Sequence, residues 1–373
     1  MSGPLPSASG DAFGELLATL ATVQQEYLTA ARGVTTAEDT AEGHRLLMHQ
    51  LETALALTFE LDPLHPDWRR IITPHRKALG DNTDALYYQA PVDGAAAYRV
   101  WGNTMGAVYT SFTVEAGAKE GAYSARTAGV LNDTDFDVAP DGSFEIFFGG
   151  PARARNWIAL PDDAALLITR HYFEWPEPAA ADPGLQVPLH IERIGASGPP
   201  PRPDDASIAA GIRRVATFLR GRTVDQPPRD PSNLPSWVGL VPNVFPPPEA
   251  PGDLAFAAFD AAYSVSTYSL APDEALVVTG RWPECRFANV CLWNRYLQTY
   301  DFLHRRVGLN RSNTVLEPDG SFRMVIAHAD PGVPNWLDTE GRATGQVYWR
   351  FFLPEGAIAT PRATVVKLTD LTG

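Results

Sequence analysis

Two textures divide the chain. Up to residue 59 the apolar positions recur at helical spacing. Phe13, Leu16, Leu17 and Leu20, followed by Val23 and Tyr27, predict a helix in DAFGELLATLATVQQEYLTAA. Leu47, Leu51 and Leu55 form the stripe of a second helix, and Thr36 with Asp39 has the spacing of a capping box. From about Ile71 the pattern shortens to apolar runs broken by Gly, Pro, Asn and Asp. DALYYQAPV, AAYRVWG, AVYTSFTV, FEIFF and ALLITRHYFEW each read as a strand. The prolines of GASGPPPRPDD predict an extended linker, after which Ile208, Ile212, Val215 and Leu219 share one helical face. A second proline-rich stretch, 225–251, leads into another strand-rich half.

That half repeats the first. The turn PDGSF at 140–144 returns at 318–322, an offset of 318 − 140 = 178. The same offset takes Gly102 to Gly280, Leu131-Asn132 to Leu309-Asn310, and Pro176 to Pro354. Asn156-Trp157 return at Asn335-Trp336, one residue later, which points to an insertion that is subsequently compensated. Turns draw on few residue types, so a lone PDG would mean little; matches in register over about 75 residues predict two related β-domains. The fold class expected is mainly β with added α: two antiparallel, jelly-roll-like β-sandwiches with N-terminal and inter-domain helices. The division expected is a helical region 1–72, a first sandwich 73–194, a Pro-rich linker with one helix 195–253, and a second sandwich 254–373.

The stretch DGSFRMVIAHADPGVPNWLDTEGRATGQVYWRFFLPEG carries a DGS turn, an NW pair after a strand, and a closing strand ending in an aromatic and a proline. In these marks it resembles the bacterial family called domain of unknown function 1214. DGSFEIFFGGPARARNWIALPDDAALLITRHYFEWP is a weaker version in the first half, and the resemblance covers 84–178 and 260–356. It implies paired jelly-roll-like sandwiches with helical additions. It assigns no chemistry.

Composition narrows the partners. With 45% hydrophobic and 20% charged residues the chain suits a globular protein, and a net charge of −14 without a Lys/Arg tract argues against nucleic acid. No apolar run approaches the length of a membrane span, and no basic region precedes an apolar core at the N-terminus, so a cytoplasmic location is expected. Cys285 and Cys291 read as buried thiols on one strand face, too far apart to bridge. His44 and His49 sit about 140° apart around a helix and read as surface residues; no metal site is expected. GxxxxGK[ST], HExxH, GxSxG and a dinucleotide fingerprint are all absent from the sequence. No cofactor is therefore expected, and side-chain acids and bases are the simplest catalysts.

Three groups of residues carry candidate chemistry. TPHRKALGDNTDALYY, 73–88, packs His75, Arg76, Lys77, Asp81, Asn82 and Asp84 between the helical region and the first sandwich. A His with an Asp there would form an oriented acid/base pair; the alternative is a salt-bridged linker docking helices onto the sheet. In GRWPECRFANVCLWNRYLQTYDF, alternation puts Arg286, Ala288, Val290, Leu292 and Asn294 on one face and Phe287, Asn289, Cys291 and Trp293 on the other. Arg281, Arg286, Asn289, Trp293, Asn294 and Tyr296 would bind substrate in a pocket wall, with Tyr300 and Asp301 as acids at the strand end; the alternative is an ordinary strand with a polar face. The paired Asn-Trp motifs read as structural. The third group is defined by difference: offset 179 equates His171 with Arg350, and His328 occurs in the second copy alone, where one copy could have specialised or simply drifted. Catalytic candidates are thus His75, Asp81, Asp84, Tyr300, Asp301 and His328.

The function expected is a cofactor-independent acid/base enzyme on a small, largely apolar molecule, first a lyase of the hydratase/dehydratase type and next a hydrolase. The alternatives are a carbohydrate-binding or glycoside-hydrolysing sandwich, or an assembly module whose 225–251 stretch drapes over a neighbour, another copy of the chain included. A closed aromatic cavity with an acid favours the first, an open groove with exposed Trp the second, and a large apolar patch without a cavity the third.

Overall fold

Helix α1 (Ala8–Tyr27) starts where the Ser7 hydroxyl accepts from the Gly10 N–H, and α2 (Ala37–Thr58) starts at the reciprocal Thr36/Asp39 capping box the sequence predicts. The computed structural model describes residues 5–78, 80–252, 256 and 258–371; the boundary expected at 253–254 lies outside them. The helical stripes are narrower than their spacing suggested. Leu16 and Val23 are buried, whereas Phe13, Leu17 and Leu55 are exposed. One face suffices because α3 (Asp205–Gly221) lies alongside, packing Val215, Phe218 and Leu219 against Leu16 and Ala54.

The first half contains β1 (Arg69–Arg70), β2 (Ala85–Pro91), β3 (Tyr98–Asn103), β4 (Tyr109–Ala116) and β5 (Arg126–Asn132). It continues with β6 (Ser143–Phe148), β7 (Trp157–Ile158), β8 (Ala164–Tyr172) and β9 (Leu189–Arg193). The second half contains β10 (Ala261–Ser269), β11 (Glu274–Gly280), β12 (Phe287–Trp293) and β13 (Gly308–Asn310). It ends with β14 (Phe322–Ala327), β15 (Trp336–Asp338), β16 (Thr344–Phe352) and β17 (Arg362–Lys367).

These strands form two sandwiches of two sheets each. The first sets β1-β2-β8-β4-β5 against β7-β6-β3-β9; the second sets β10-β16-β12-β13 against β15-β14-β11-β17. Leaving out β1, each order in the second is the first with every strand number raised by eight. Even the parallel pair recurs, β6 with β7 and β14 with β15, among otherwise antiparallel neighbours. The duplication read from PDGSF is therefore present in the topology. The turn glycines Gly142 and Gly320 have φ of 83° and 81°, a region an L side chain rarely adopts. Asn156 and Asn335 are likewise left-handed, and each side-chain carbonyl accepts a backbone N–H, from Asp137 and Val315. The Trp157 and Trp336 indoles donate to the carbonyls of Gly149 and Ala327. Both pairs are structural, as expected.

Strand pairing corrects one equivalence. Arg170 lies opposite Tyr87 in the β2–β8 ladder, and Arg350 lies opposite Tyr263 in the β10–β16 ladder. Arg350 thus matches Arg170 at an offset of 350 − 170 = 180, and His171 matches Phe351. A further residue is inserted between the Asn-Trp pair and the closing strand, where no shared letters mark it.

The two sandwiches meet through equivalent sheets. Outward residues of β2, β4 and β8 pack on those of β10, β12 and β16, so that Tyr87, Tyr109, Tyr172, Tyr263, Phe287, Tyr348 and Phe352 form one shared core. This gives four stacked layers with an aromatic seam at the centre. The alternation expected for β12 holds: Ala288, Val290 and Leu292 face the interior of their own sandwich, and Phe287, Cys291 and Trp293 face the seam. The two thiols, by contrast, do not share a face. Cys285 precedes β12, is half-buried, and packs inside the second sandwich; Cys291 lies in the seam, where burial pushes its thiol up to about 12.

Candidate functional site

Two kinds of polar group interrupt the aromatic seam. The first kind is a reciprocal clasp. Asp84, just before β2, receives the Asn310 amide at 3.1 Å, and Asp260, just before β10, receives the Asn132 amide at 2.8 Å. Each sandwich therefore offers an aspartate to the asparagine that ends an edge strand, β5 or β13, of the other's seam sheet. Asp84 also accepts from Asn289 at 2.8 Å and Thr83 at 3.3 Å, and Asn289 exchanges two amide bonds with Asn82. Burial pushes the Asp84 carboxyl up to about 6, against the pull of these donors. Asp260 takes the Tyr109 hydroxyl at 2.6 Å instead.

The second kind is a pair of arginines. Arg170 and Arg350 sit at the same register position of the two seam sheets, each only 5% exposed. Arg170 donates to the Thr113 hydroxyl at 3.0 Å and the Phe256 carbonyl at 2.9 Å. Arg350 donates to the Tyr87 hydroxyl at 3.4 Å and the Gly80 carbonyl at 3.3 Å, and its Nε has no partner. Its guanidinium lies 5.8, 5.6 and 5.1 Å from the ring centres of Tyr172, Tyr263 and Tyr348. The Tyr87 and Tyr172 hydroxyls are 2.9 Å apart. Tyr87, Tyr172, Tyr263 and both arginines, with Ile71, Ile72, Ala78, Asp81, Ile168 and Phe256, line a cavity of about 90 Å³ between the sandwiches. Burial raises the proton affinity of Tyr87 and Tyr263, so both hydroxyls are proton donors at neutral pH.

The candidates from the sequence are dispersed. Asp81 lines the cavity, but its carboxylate is held by the backbone and hydroxyl of Thr299, and burial raises its pKa. Asp84 and Asn289 lie in the clasp. Trp293 packs at a tilt of 33° against Tyr348, ring centres 4.0 Å apart, and donates to the Asp81 carbonyl at 2.9 Å. The remaining candidates stand away from the cavity lining. His75 is exposed. Arg281 pairs with Asp319 and Arg286 with Asp133. The Asn294 side chain bonds Gln298, and Tyr296 donates to the Asp39 carbonyl. Tyr300 shares a 2.7 Å bond with Tyr268, and Asp301 holds the exposed His304. His328, at the end of β14 in the outermost sheet, meets the Thr339 hydroxyl at 2.6 Å.

Segment 73–84 is thus largely a docking linker. Lys77, buried and lowered to about 8, donates to the carbonyls of Thr299 and Tyr300 and lies over the Phe302 ring. His49 belongs to this joint and is not a surface residue: it accepts from the Lys77 N–H and meets the Gln298 amide, and burial lowers it to about 4. His44 is exposed, as expected. Among the described residues no group of three or more His, Cys, Asp or Glu is placed to hold a metal ion, and no helix is long and apolar enough to cross a membrane.

Residues 283–356 match the family model described as protein of unknown function (DUF1214). An uncharacterised protein from Burkholderia cenocepacia, known from its crystal structure, is 30% identical, with 97% of this chain and 98% of that one covered and a TM-score of 0.83. The chain belongs to the DUF1214 family. A Vibrio parahaemolyticus protein of known structure shares 13% identity over 77% of this chain and 90% of its own, with a TM-score of 0.48. No curated protein matches the chain. The membership bears out the resemblance seen in the NW pair and the closing strand.

The signal that would have found the cavity was in both copies. LLITRHYF and VYWRFF each place an arginine inside a strand that is otherwise apolar or aromatic. A central strand tolerates such a charge only with a partner for it.

Proposed function

We propose that this protein is an acid/base enzyme that adds or removes water on a small organic molecule held in the cavity between its sandwiches. The observation that carries the reading is the Tyr87–Tyr172 hydroxyl pair, 2.9 Å apart, backed by the Arg350 guanidinium at 3.4 Å. Tyr87 gives its proton to the departing hydroxyl of the substrate as the C–O bond breaks. Arg350 stabilises the tyrosinate that forms, and that oxygen then takes the proton from the adjacent carbon, leaving a double bond, a water and a restored tyrosine. Addition of water is the reverse. The low solvent exposure of Tyr87 and Arg350 strengthens these interactions.

A sugar site is less favoured. None of the nine tryptophans is exposed, and about 90 Å³ is small for a pyranose ring.

The test is incubation with a mixed library of small alcohols, hydroxy acids and their unsaturated counterparts, read by mass spectrometry for gain or loss of one water. Turnover of at least one member is expected, falling about 10²–10⁴-fold in Tyr87→Phe, with the fold retained by circular dichroism. Undiminished turnover in the Tyr87→Phe, Tyr172→Phe double variant would remove the tyrosines from the chemistry, and an inert library would remove the activity.

A further inference from the structure

We propose that the cavity selects small organic carboxylates, and that Arg350 receives the carboxylate group. This deepens the reading above and rests on the cavity being the functional site.

Several arginines elsewhere on the second sandwich hold carboxylates: Arg311 has Glu174, Arg286 has Asp133, and Arg342 has Glu42 and Glu340. The two in the seam differ. Although the chain carries a net charge of −14, Arg170 and Arg350 make no ion pair among the described residues. Arg170 is the better satisfied, with two short bonds to neutral oxygens. Arg350 has long bonds to neutral oxygens and a buried Nε with no acceptor. A guanidinium out of water and without an anion is costly, and an open Nε is one prong of the fork that grips a planar carboxylate. The neighbouring Tyr87 hydroxyl keeps its proton for the substrate's departing hydroxyl, which leaves the anion to Arg350.

Size and lining choose among anions. A cavity of about 90 Å³ holds the volume of about three waters, which suits an organic acid of roughly four to six heavy atoms. Ile71, Ile72, Ile168 and Phe256 line it. An aliphatic body covers those side chains, whereas inorganic phosphate leaves them uncovered and brings more acceptors than the free donors satisfy.

The wild-type protein decides the question by calorimetric titration with propanoate, propanamide and inorganic phosphate. Propanoate is expected to bind about 10–100-fold more tightly than the isosteric propanamide, with phosphate failing to displace it. Arg350→Met is expected to lose propanoate binding, and Arg350→Lys to retain part of it. Equal binding of propanamide would overturn the carboxylate assignment while leaving the cavity as the site. Displacement by phosphate at similar concentration would overturn it in favour of an inorganic anion. If propanoate does not bind the wild type, the assignment falls, and the tyrosine-dependent turnover assay separately decides the reading on which it rests. The wild-type comparison stands even where the methionine variant does not fold.

Discussion

Asn289→Leu destabilises the protein by about 3–5 kcal/mol at pH 8 and by about 1–2 kcal/mol at pH 5. The difference arises from Asp84. Its carboxyl, pushed up to about 6, is ionised at pH 8 and depends on the Asn289 and Asn310 amides; at pH 5 it is largely protonated and needs them less. The sign follows from linkage. A folded-state pKa above the unfolded value means that Asp84 contributes stability below pH 4, lost as the pH rises through about 6. Leucine removes a donor, raises that pKa further and steepens the loss above pH 6. Urea unfolding of wild type and variant at the two pH values measures this. If stability is unchanged while ligand binding disappears, Asn289 is a substrate-binding group, as its strand position alone suggested, and the clasp is not the reason for its burial.

His171→Phe makes the fold more tolerant of acid. His171 is fully buried inside the first sandwich between the hydroxyls of Thr110 and Thr169, and burial lowers it to about 3. Below pH 6.5 the unfolded chain takes up a proton at this position and the folded chain does not. Stability therefore falls with a slope that approaches about 1.4 kcal/mol per pH unit, or about 2.3 kcal/mol between pH 6.5 and 4.5. Phenylalanine removes this dependence, and the equivalent position in the second sandwich already carries Phe351. At pH 8 the variant is expected to be about 1–2 kcal/mol less stable, because two buried hydroxyls lose ring nitrogens. The stability curves of variant and wild type should then converge or cross near pH 5. His49 destabilises in acid by the same mechanism and Asp84 opposes it, but both are common to the two proteins. Parallel curves over pH 4.5–7 would show that His171 is protonated in the folded state.

Duplication was legible because turns and caps have narrow chemical requirements. PDGSF needs a glycine at positive φ, and the Asn of each NW pair sits in the left-handed region, so both copies kept these letters. The alternation of β12 was legible for the same kind of reason: a strand buried on both faces still sends successive side chains to opposite sides. The register of the closing strands was hidden. Backbone pairing sets it, and the compensating insertions lie in loops without shared letters.

The candidate site was less legible, for a physical reason. Attention to what the copies do not share led to His75, Asp301 and His328, whereas the cavity is built mainly from what they do share, a tyrosine opposite an arginine in each seam sheet. Asp84 looked catalytic because acids near domain junctions often are. Its counterpart Asp260 makes the equivalent bond to Asn132, and a reciprocal bond of that kind holds two sandwiches together. What specialises the copies is finer: Asn289 stands where the first has Ser111, and Tyr348 where it has Ile168.

The most direct measurement is a crystal structure of the wild-type protein soaked with a mixture of small organic acids and alcohols, read for density between the sandwiches. Density is expected within hydrogen-bonding distance of the Arg350 Nε and the Tyr87 hydroxyl. Ligand density confined to the outer surfaces, with the tyrosine-lined cavity holding only water, would contradict the assignment of the site.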